Sequence, residues 1–360
     1  MLNTECHNQS TRNNKCVIFQ QCLSRLNLSR WPLLSACFNE LLGTAVFMII
    51  GLGVIIQCII GSFNNHEISR YISISVGWGI AATIGMLIAS CCNDNEKYTV
   101  GLLNPALTLA YCLTGKLPFR CLLPISLCQI IGSILGGFVI IGIYWENIQV
   151  YAKHTSSGRL EMNATGALLV TIPGASHQAC LMDHILSSGL FSGIMLAIQD
   201  RNNHNIPHEL QLIYAGILMT GIIGSLCLNI GTALNPARDL GARIAIALCG
   251  WGIEAFQANN YYFWIPIVGP YLGALIGTFL YELTIGLCFS SFTEENHQSQ
   301  SDHETLNEDV TKTIDTMTEK DDGISQNSLA EEINEDLFDI VDIESCCFTN
   351  SEVTLYSMSE

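Results

Sequence analysis

The chain of 360 residues is 49 % hydrophobic, and only 13 % of its residues are charged, where a soluble protein has about 25 %. This shortage of charge excludes an ordinary soluble protein and indicates segments that do not meet water. The net charge of −17 arises in residues 290–360, which contain 19 acidic and two basic side chains, while the remainder is neutral. The acidity therefore carries no information about what the body of the protein binds.

Six long apolar runs follow one another along the chain, and each approaches or exceeds the roughly 20 residues that cross a bilayer. They cover residues 35–60, 72–91, 121–144, 178–198, 210–228 and 262–288. These runs predict six transmembrane helices and therefore an all-α membrane protein. Several are rich in glycine, such as Gly132 and Gly136, which favours close approach of helix backbones.

Two shorter apolar runs lie between the long ones, at residues 104–114 and 235–248. Both begin with the same three residues, Asn104, Pro105 and Ala106 in the first and Asn235, Pro236 and Ala237 in the second. Asparagine is a good helix N-cap, and proline is favoured at the first helical position. Each run is too short to cross a bilayer, so it predicts a half-helix with a fixed N-terminus.

The order span, span, half-helix, span occurs twice, at about 35–145 and about 178–289. A repeat with three spans must be inverted, so the two half-helices enter from opposite faces and meet near the midplane. Non-helical backbone at that depth is tolerated where it is buried or lines a cavity, and the order therefore predicts a pore. We expect a channel domain over residues 31–289, between a cytoplasmic N-terminal segment (1–30) and an acidic, disordered cytoplasmic tail (290–360).

Basic residues predict the orientation. Four lie before Trp31, and Lys116 and Arg120 follow the first half-helix, so both termini are expected in the cytoplasm. Residues 146–176 then form an outer loop that contains the sequon Asn163-Ala164-Thr165, a candidate glycosylation site. We expect a multi-pass protein of the plasma membrane.

The paired Asn-Pro-Ala half-helices resemble those of the aquaporins, the major intrinsic protein family, and the resemblance covers residues 38–288. Each half-helix N-terminus carries about half a positive charge, and the amides of Asn104 and Asn235 offer N–H donors to a passing oxygen. Such an arrangement is a barrier to protons and cations. The resemblance also implies a homotetramer with one pore per subunit.

The resemblance implies an outer constriction formed by four residues, Trp78, Gly224, Thr232 and Arg238. Tryptophan at the position of Trp78 is typical of the glycerol-conducting branch, where the ring faces the carbon chain of a polyol while the arginine donates to hydroxyls. The spacing of Gly224 from Asn235 is one residue shorter than the usual pattern. Glycerol channels often have a large aromatic residue where this chain has Thr232, so we expect a wider and more polar constriction.

Five further positions match the glycerol branch, namely Tyr144, Asp239, Arg243, Pro266 and Ile267. The acids Glu40 and Asp183 lie inside spans, and the resemblance implies that they hold the loops before the half-helices. Asp183 is one methylene shorter than the usual glutamate, which puts its reach in question. The loop of residues 91–100 is longer and more polar than usual, and Leu102 replaces a frequent pore-lining histidine, so we expect altered access from the cytoplasm.

The leading hypothesis is passive conduction of glycerol, water and other small neutral solutes such as urea, in a lipid bilayer and without an energy source. One alternative is a water-selective channel. An alternative from another class is a junction or scaffold protein with a secondary pore, whose acidic tail binds cytoplasmic partners. No nucleophile–base arrangement and no metal-ligand spacing occurs in the sequence, so we expect neither an enzyme nor a cofactor, and no nucleic-acid partner.

Overall fold

The computed structural model describes residues 30–63, 70–90, 101–231 and 234–286, and all regular structure within them is helical. The nine α-helices found there are α1 (Pro32–Phe63), α2 (Arg70–Ala89), α3 (Pro105–Leu113), α4 (Leu122–Thr155), α5 (His177–Ile198), α6 (His208–Ser225), α7 (Pro236–Ile246), α8 (Glu254–Tyr261) and α9 (Ile265–Tyr281). Short 3-10 turns occupy Phe119–Cys121, Gly166–Leu168 and Tyr262–Trp264, and π-helical turns occupy Ala247–Trp251 and Glu282–Gly286.

Five helical segments of the described chain are long and apolar enough to cross a membrane: Pro32–Gly61, Tyr71–Ala89, Phe119–Thr155, His177–Ile198 and Glu254–Gly286. The sixth predicted span corresponds to α6, which has 18 residues. Helix α6 begins with His208 and Glu209, and these polar residues lower its mean hydropathy. It packs alongside α2, so it belongs to the same helical bundle as the five more apolar segments.

Helix α4 is longer than the apolar run predicts, because the run ends at Tyr144 while the helix continues to Thr155. The additional turns are amphipathic: Ile148 and Ala152 are buried one turn apart, and most of their neighbours are exposed. Hydropathy alone therefore ended the predicted span too early. After the helix ends, Ser157 and Gly158 adopt φ values of +52° and +84°, and the N–H of Gly158 donates back to the Ala152 carbonyl oxygen at 2.9 Å.

The two repeats interlock through their half-helices. Within the repeats, α1 packs on α4 and α5 packs on α9. Across the repeats, α7 packs against α4 and α3 packs against α9, so the third span of each repeat supports the half-helix of the other. Glycines allow this density: a Cβ at Gly132 would lie 2.3 Å from the Leu41 carbonyl oxygen, and one at Gly273 would lie 2.4 Å from that of Ile185.

Candidate pore and outer constriction

The N-termini of both half-helices have the predicted caps. Asn104 and Asn235 have extended backbone and lie immediately before the first helical residue. The Oδ1 atom of Asn104 accepts from the backbone N–H of Ala106 at 3.0 Å, and that of Asn235 accepts from Ala237 at 2.9 Å and from Arg238 at 3.3 Å. Each asparagine therefore satisfies backbone donors that a helix start leaves open.

The same two asparagines also join the half-helices to each other. The Nδ2 atom of Asn104 donates to the Leu234 carbonyl oxygen at 3.1 Å, and that of Asn235 donates to the Leu103 carbonyl oxygen at 2.7 Å. Leu103 and Leu234 have φ values of +57° and +51°, a conformation uncommon for residues other than glycine. Because an amide nitrogen carries two hydrogens, each asparagine has a second N–H for a solute.

Glu40 holds the loop before the first half-helix. Its two carboxylate oxygens accept from the backbone N–H groups of Leu102 and Leu103 at 2.6 and 2.8 Å. Gln129, which the sequence analysis did not single out, donates to Glu40 at 3.0 Å and to Thr108 at 3.1 Å. The carboxylate is 3 % exposed, and these three donors compensate for its burial.

Asp183 contacts the loop before the second half-helix. Its contacts lie further from the start of that half-helix than those of Glu40 lie from the start of the first. Its Oδ1 accepts from the backbone N–H of Cys227 at 3.4 Å, and its Oδ2 accepts from the Nδ2 of Asn229 at 3.2 Å. The carbonyl oxygen of Asn229 in turn accepts from the N–H of Gly174 in the outer loop at 2.8 Å. The shorter acid thus acts on the loop largely through Asn229, whereas Glu40 contacts the residues next to Asn104.

Trp78 and Arg238 lie against each other where the second half-helix begins. The guanidinium carbon of Arg238 is 5.1 Å from the centroid of the Trp78 ring, and the side chains are 1 % and 2 % exposed. The ring of Phe47 meets Trp78 edge-on at 4.8 Å. Trp78 and Arg238 are 160 positions apart in the sequence, so their contact arises from the fold.

Of the remaining two predicted constriction residues, Gly224 lies among the described residues and Thr232 does not. Gly224 lies near the end of α6, and a Cβ there would be 3.5 Å from the hydroxyl of Ser75, one turn before Trp78 in α2. Thr232 and the loop of residues 91–100 lie outside the described residues. Leu102 is buried in the loop held by Glu40.

Comparison with known proteins decides the family. The model of the major intrinsic protein family matches residues 27–281. The chain belongs to the major intrinsic protein family. It is 34 % identical to aquaporin-9 of Homo sapiens over 252 residues, 69 % of this chain and 81 % of that protein. It is 31 % identical to human aquaporin-10 over 255 residues, 70 % of this chain and 81 % of that protein.

The fold agrees with a solved structure of the same family. The X-ray structure of the aquaglyceroporin from Plasmodium falciparum matches with a TM-score of 0.61 over 72 % of this chain and 99 % of that chain, at 23 % identity. The predicted all-α channel fold is thereby confirmed, and membership of the major intrinsic protein family makes the chain a passive membrane channel rather than an enzyme.

A buried ionic cluster anchors the second half-helix of this major intrinsic protein. Asp239 accepts from the Nε of Arg243 at 2.5 Å and from the backbone N–H and hydroxyl of Thr171 at 2.8 and 2.6 Å. Arg243 also donates to the carbonyl oxygens of Thr171 at 2.5 Å and Ala255 at 2.7 Å. The cluster therefore ties the outer loop and α8 to α7, directly beside Arg238.

The other branch markers lie in helix contacts. The hydroxyl of Tyr144 accepts from the Nε2 of Gln57 at 3.0 Å, which joins α4 to α1. Pro266 is buried in the first turn of α9, and Ile267 follows it half-buried. A proline at that position forfeits no helical hydrogen bond.

The sequon lies in the segment of residues 146–176, and its asparagine is exposed. The Oδ1 of Asn163 accepts from the Nδ2 of Asn259 at 2.9 Å. Thr165 is buried, and its hydroxyl accepts from the indole N–H of Trp251 at 3.1 Å. Since a glycan attaches to the Nδ2 of asparagine, the exposed side chain is compatible with modification.

Proposed function

We propose that this channel conducts glycerol, water and other small neutral solutes, including urea and larger polyols, and that it excludes protons and ions. The observation that carries the proposal is the contact of Trp78 with Arg238. An indole face and a guanidinium in one buried place match the two surfaces of a polyol, its carbon chain and its hydroxyls. A water-only channel has no need for the apolar surface.

The proposed permeation step is an exchange of hydrogen bonds. A hydroxyl that leaves the outer water accepts from the guanidinium of Arg238, while the carbon chain lies along the indole of Trp78. It then reaches the amide N–H groups of Asn104 and Asn235, which replace the bonds it made to water. Because no group changes protonation, the flux follows the concentration gradient of the solute.

Exclusion of protons and cations follows from charge. Two half-helix N-termini of about half a positive charge each are directed at one point, where Asn104 and Asn235 approach each other's loop. Arg238 adds a full positive charge at the outer side, and a buried charge at membrane depth is generally functional. A water between the two asparagines accepts from both, which interrupts the donor–acceptor chain that proton transfer requires.

The names of the relatives and the chain's own residues support this range of solutes. The solved neighbour is called an aquaglyceroporin. The residues at the five branch positions, Tyr144, Asp239, Arg243, Pro266 and Ile267, are those of the glycerol branch. Thr232, where glycerol channels often have a large aromatic residue, supports a roomier constriction and hence solutes larger than glycerol.

We further propose that the protein assembles as a homotetramer in the plasma membrane with cytoplasmic termini, that residues 31–289 form the channel domain, and that Asn163 receives a glycan. In this assignment Glu40 and Asp183 hold the half-helix loops. The acidic segment 290–360 is proposed to bind cytoplasmic partners. These assignments rest on the family and on charge distribution.

Swelling of oocytes or proteoliposomes tests the proposed function. We expect vesicles with the protein to take up glycerol and urea well above control vesicles, with measurable water flux and no proton leak. Normal water flux without solute uptake would overturn the glycerol assignment in favour of a water-selective channel. Absence of flux for water and all solutes, in protein shown to be inserted, would overturn the channel assignment altogether.

A further inference from the structure

We propose that Gly51, on α1, determines solute selectivity by setting the position of the Trp78 indole. A single methyl group added at Gly51 would therefore lower the permeability of the channel to glycerol but not to water. The proposal rests on the role of Trp78 in the proposed function. It adds a residue that does not itself touch the solute.

The geometry is specific to this glycine. A Cβ built at Gly51 would lie 2.4 Å from Cζ3, 2.5 Å from Cε3 and 2.6 Å from Cη2 of Trp78. The near equality of the three distances means that the methyl group would press on the face of the six-membered ring and not on its edge. The face of the indole thus packs directly against the backbone of α1 at Gly51.

The indole has little freedom to move sideways in response. It is 1 % exposed, Phe47 meets it edge-on at 4.8 Å, and Arg238 lies over the ring at 5.1 Å from its centroid. Gly77 and Gly79 lie on either side of Trp78 in α2. A Cβ at Gly77 would lie within 2.7 Å of Val54, and one at Gly79 would lie within 2.7 Å of Thr220. The backbone of α2 is therefore wedged between α1 and α6 and does not retreat easily.

Contacts under 3.0 Å with a rigid ring require movement, and interiors packed at this density transmit it to neighbouring groups. Movement of the indole away from α1 displaces the aromatic surface that, in the proposed function, faces the carbon chain of the polyol. In the proposed function the carbon chain of the polyol passes beside the indole and the guanidinium, through the space that these two side chains border. Loss of that space obstructs glycerol more than water, because water is the smaller molecule.

The test compares glycerol and water permeability of Gly51→Ala with those of Gly53→Ala in proteoliposomes. Gly53 is the matched control, since it lies two residues further in α1 and a Cβ there would be 3.5 Å from Ile140, an ordinary contact. We expect Gly51→Ala to lower glycerol permeability about tenfold relative to water and Gly53→Ala to leave the ratio unchanged. An unchanged ratio in Gly51→Ala would overturn the inference.

A smaller ring provides the rescue. In Gly51→Ala combined with Trp78→Phe, the methyl group has room, so we expect the same glycerol-to-water ratio as in Trp78→Phe alone. A ratio as low as in Gly51→Ala would contradict the proposed mechanism. If Gly51→Ala alone does not insert into the membrane, insertion of the double variant would support the contact of the added methyl group with the indole, and failure of the double variant to insert would overturn the inference.

Failure of the inference and failure of the proposed function are distinguishable. If Trp78→Ala leaves the glycerol-to-water ratio unchanged, Trp78 is not part of the constriction and the proposed function loses its main support. If Trp78→Ala changes the ratio but Gly51→Ala does not, Trp78 keeps its role and only the positioning role of Gly51 is wrong.

Discussion

Arg238 lies over the ring of Trp78, with 5.1 Å between the guanidinium carbon and the ring centroid. The two side chains come from different repeats, one from a span and one from a half-helix. A buried guanidinium next to an aromatic face gains a cation–π contact, and the carboxylate of Asp239 lies 3.6 Å from its Nη1. These interactions hold both side chains of the proposed constriction in place.

Replacement of Arg238 by alanine is expected to abolish selection against charge. The substitution removes the positive charge from the outer constriction and widens it, so glycerol permeability is expected to persist while a proton or cation conductance appears. Two-electrode recording in oocytes measures the cation conductance, and a pH-sensitive dye in proteoliposomes measures the entry of protons. Arg159→Ala is the control, because that arginine is exposed and pairs with Glu161 at the surface, where an ion pair contributes little. Unaltered exclusion of ions in Arg238→Ala would argue against the filter role.

Asn104→Asp is expected to create a cation leak. The aspartate retains the oxygen that caps Ala106, but it loses the N–H that donates to Leu234 and adds a negative charge at the tip of the half-helix. We expect a cation conductance above that of the wild type in voltage-clamped oocytes. Asn202→Asp, in an exposed turn, introduces the same charge outside the pore and should conduct like the wild type; equal currents in both variants would contradict the prediction.

Glu40→Gln is expected to destabilise the protein more than Asp183→Asn. A neutral amide has a single acceptor oxygen, so one of the N–H groups of Leu102 and Leu103 loses its partner, at a cost of about 1–3 kcal/mol. The carboxylate of Asp183 is half-buried, and its bonds to the loop measure 3.4 and 3.2 Å. Thermal unfolding in detergent ranks the two variants, and a lower Tm for Asp183→Asn than for Glu40→Gln would reverse the argument.

The half-helices were predictable from sequence because their signals are local. Asparagine as cap and proline at the first helical position act on the residues that immediately follow, and both helices begin at Pro105 and Pro236 as predicted. The partners of buried charges were not predictable in this way. The charges of Asp239 and Arg243 indicate that partners must exist, but the identity of Thr171 depends on the path of the outer loop.

The same limit applies to Asp183 and to helix α4. The length of the aspartate side chain raised the question of its reach, but only the fold reveals that Asn229 carries the contact onward to the loop. The last three turns of α4 follow an amphipathic pattern that a hydropathy window does not detect. The position of Gly51 under the Trp78 ring depends on the packing of two spans and has no sequence signal of its own.

Thr171→Val is expected to loosen the outer loop. The change preserves the shape of the side chain and removes the hydroxyl that donates to the buried Asp239 at 2.6 Å, so we expect a loss of about 1–3 kcal/mol. The matched control is Thr155→Val, since Thr155 is exposed and its hydroxyl donates to the carbonyl of Tyr151 in its own helix. Tm and protease sensitivity of the outer loop measure the effect, and equal stability of the two variants would contradict a role for Thr171.

Cys227→Gly is expected to stabilise the loop before the second half-helix. Cys227 has a φ of +69°, and the left-handed conformation costs a residue with a Cβ roughly 1–2 kcal/mol. Glycine removes that cost and retains the backbone N–H that donates to Asp183, although its freedom in the unfolded chain offsets part of the gain. Cys227→Ala separates the two effects, because alanine loses the thiol but keeps the strain. We therefore expect a higher Tm for the glycine variant than for the alanine variant, and the opposite order would mean that the freedom of glycine in the unfolded chain outweighs the backbone strain.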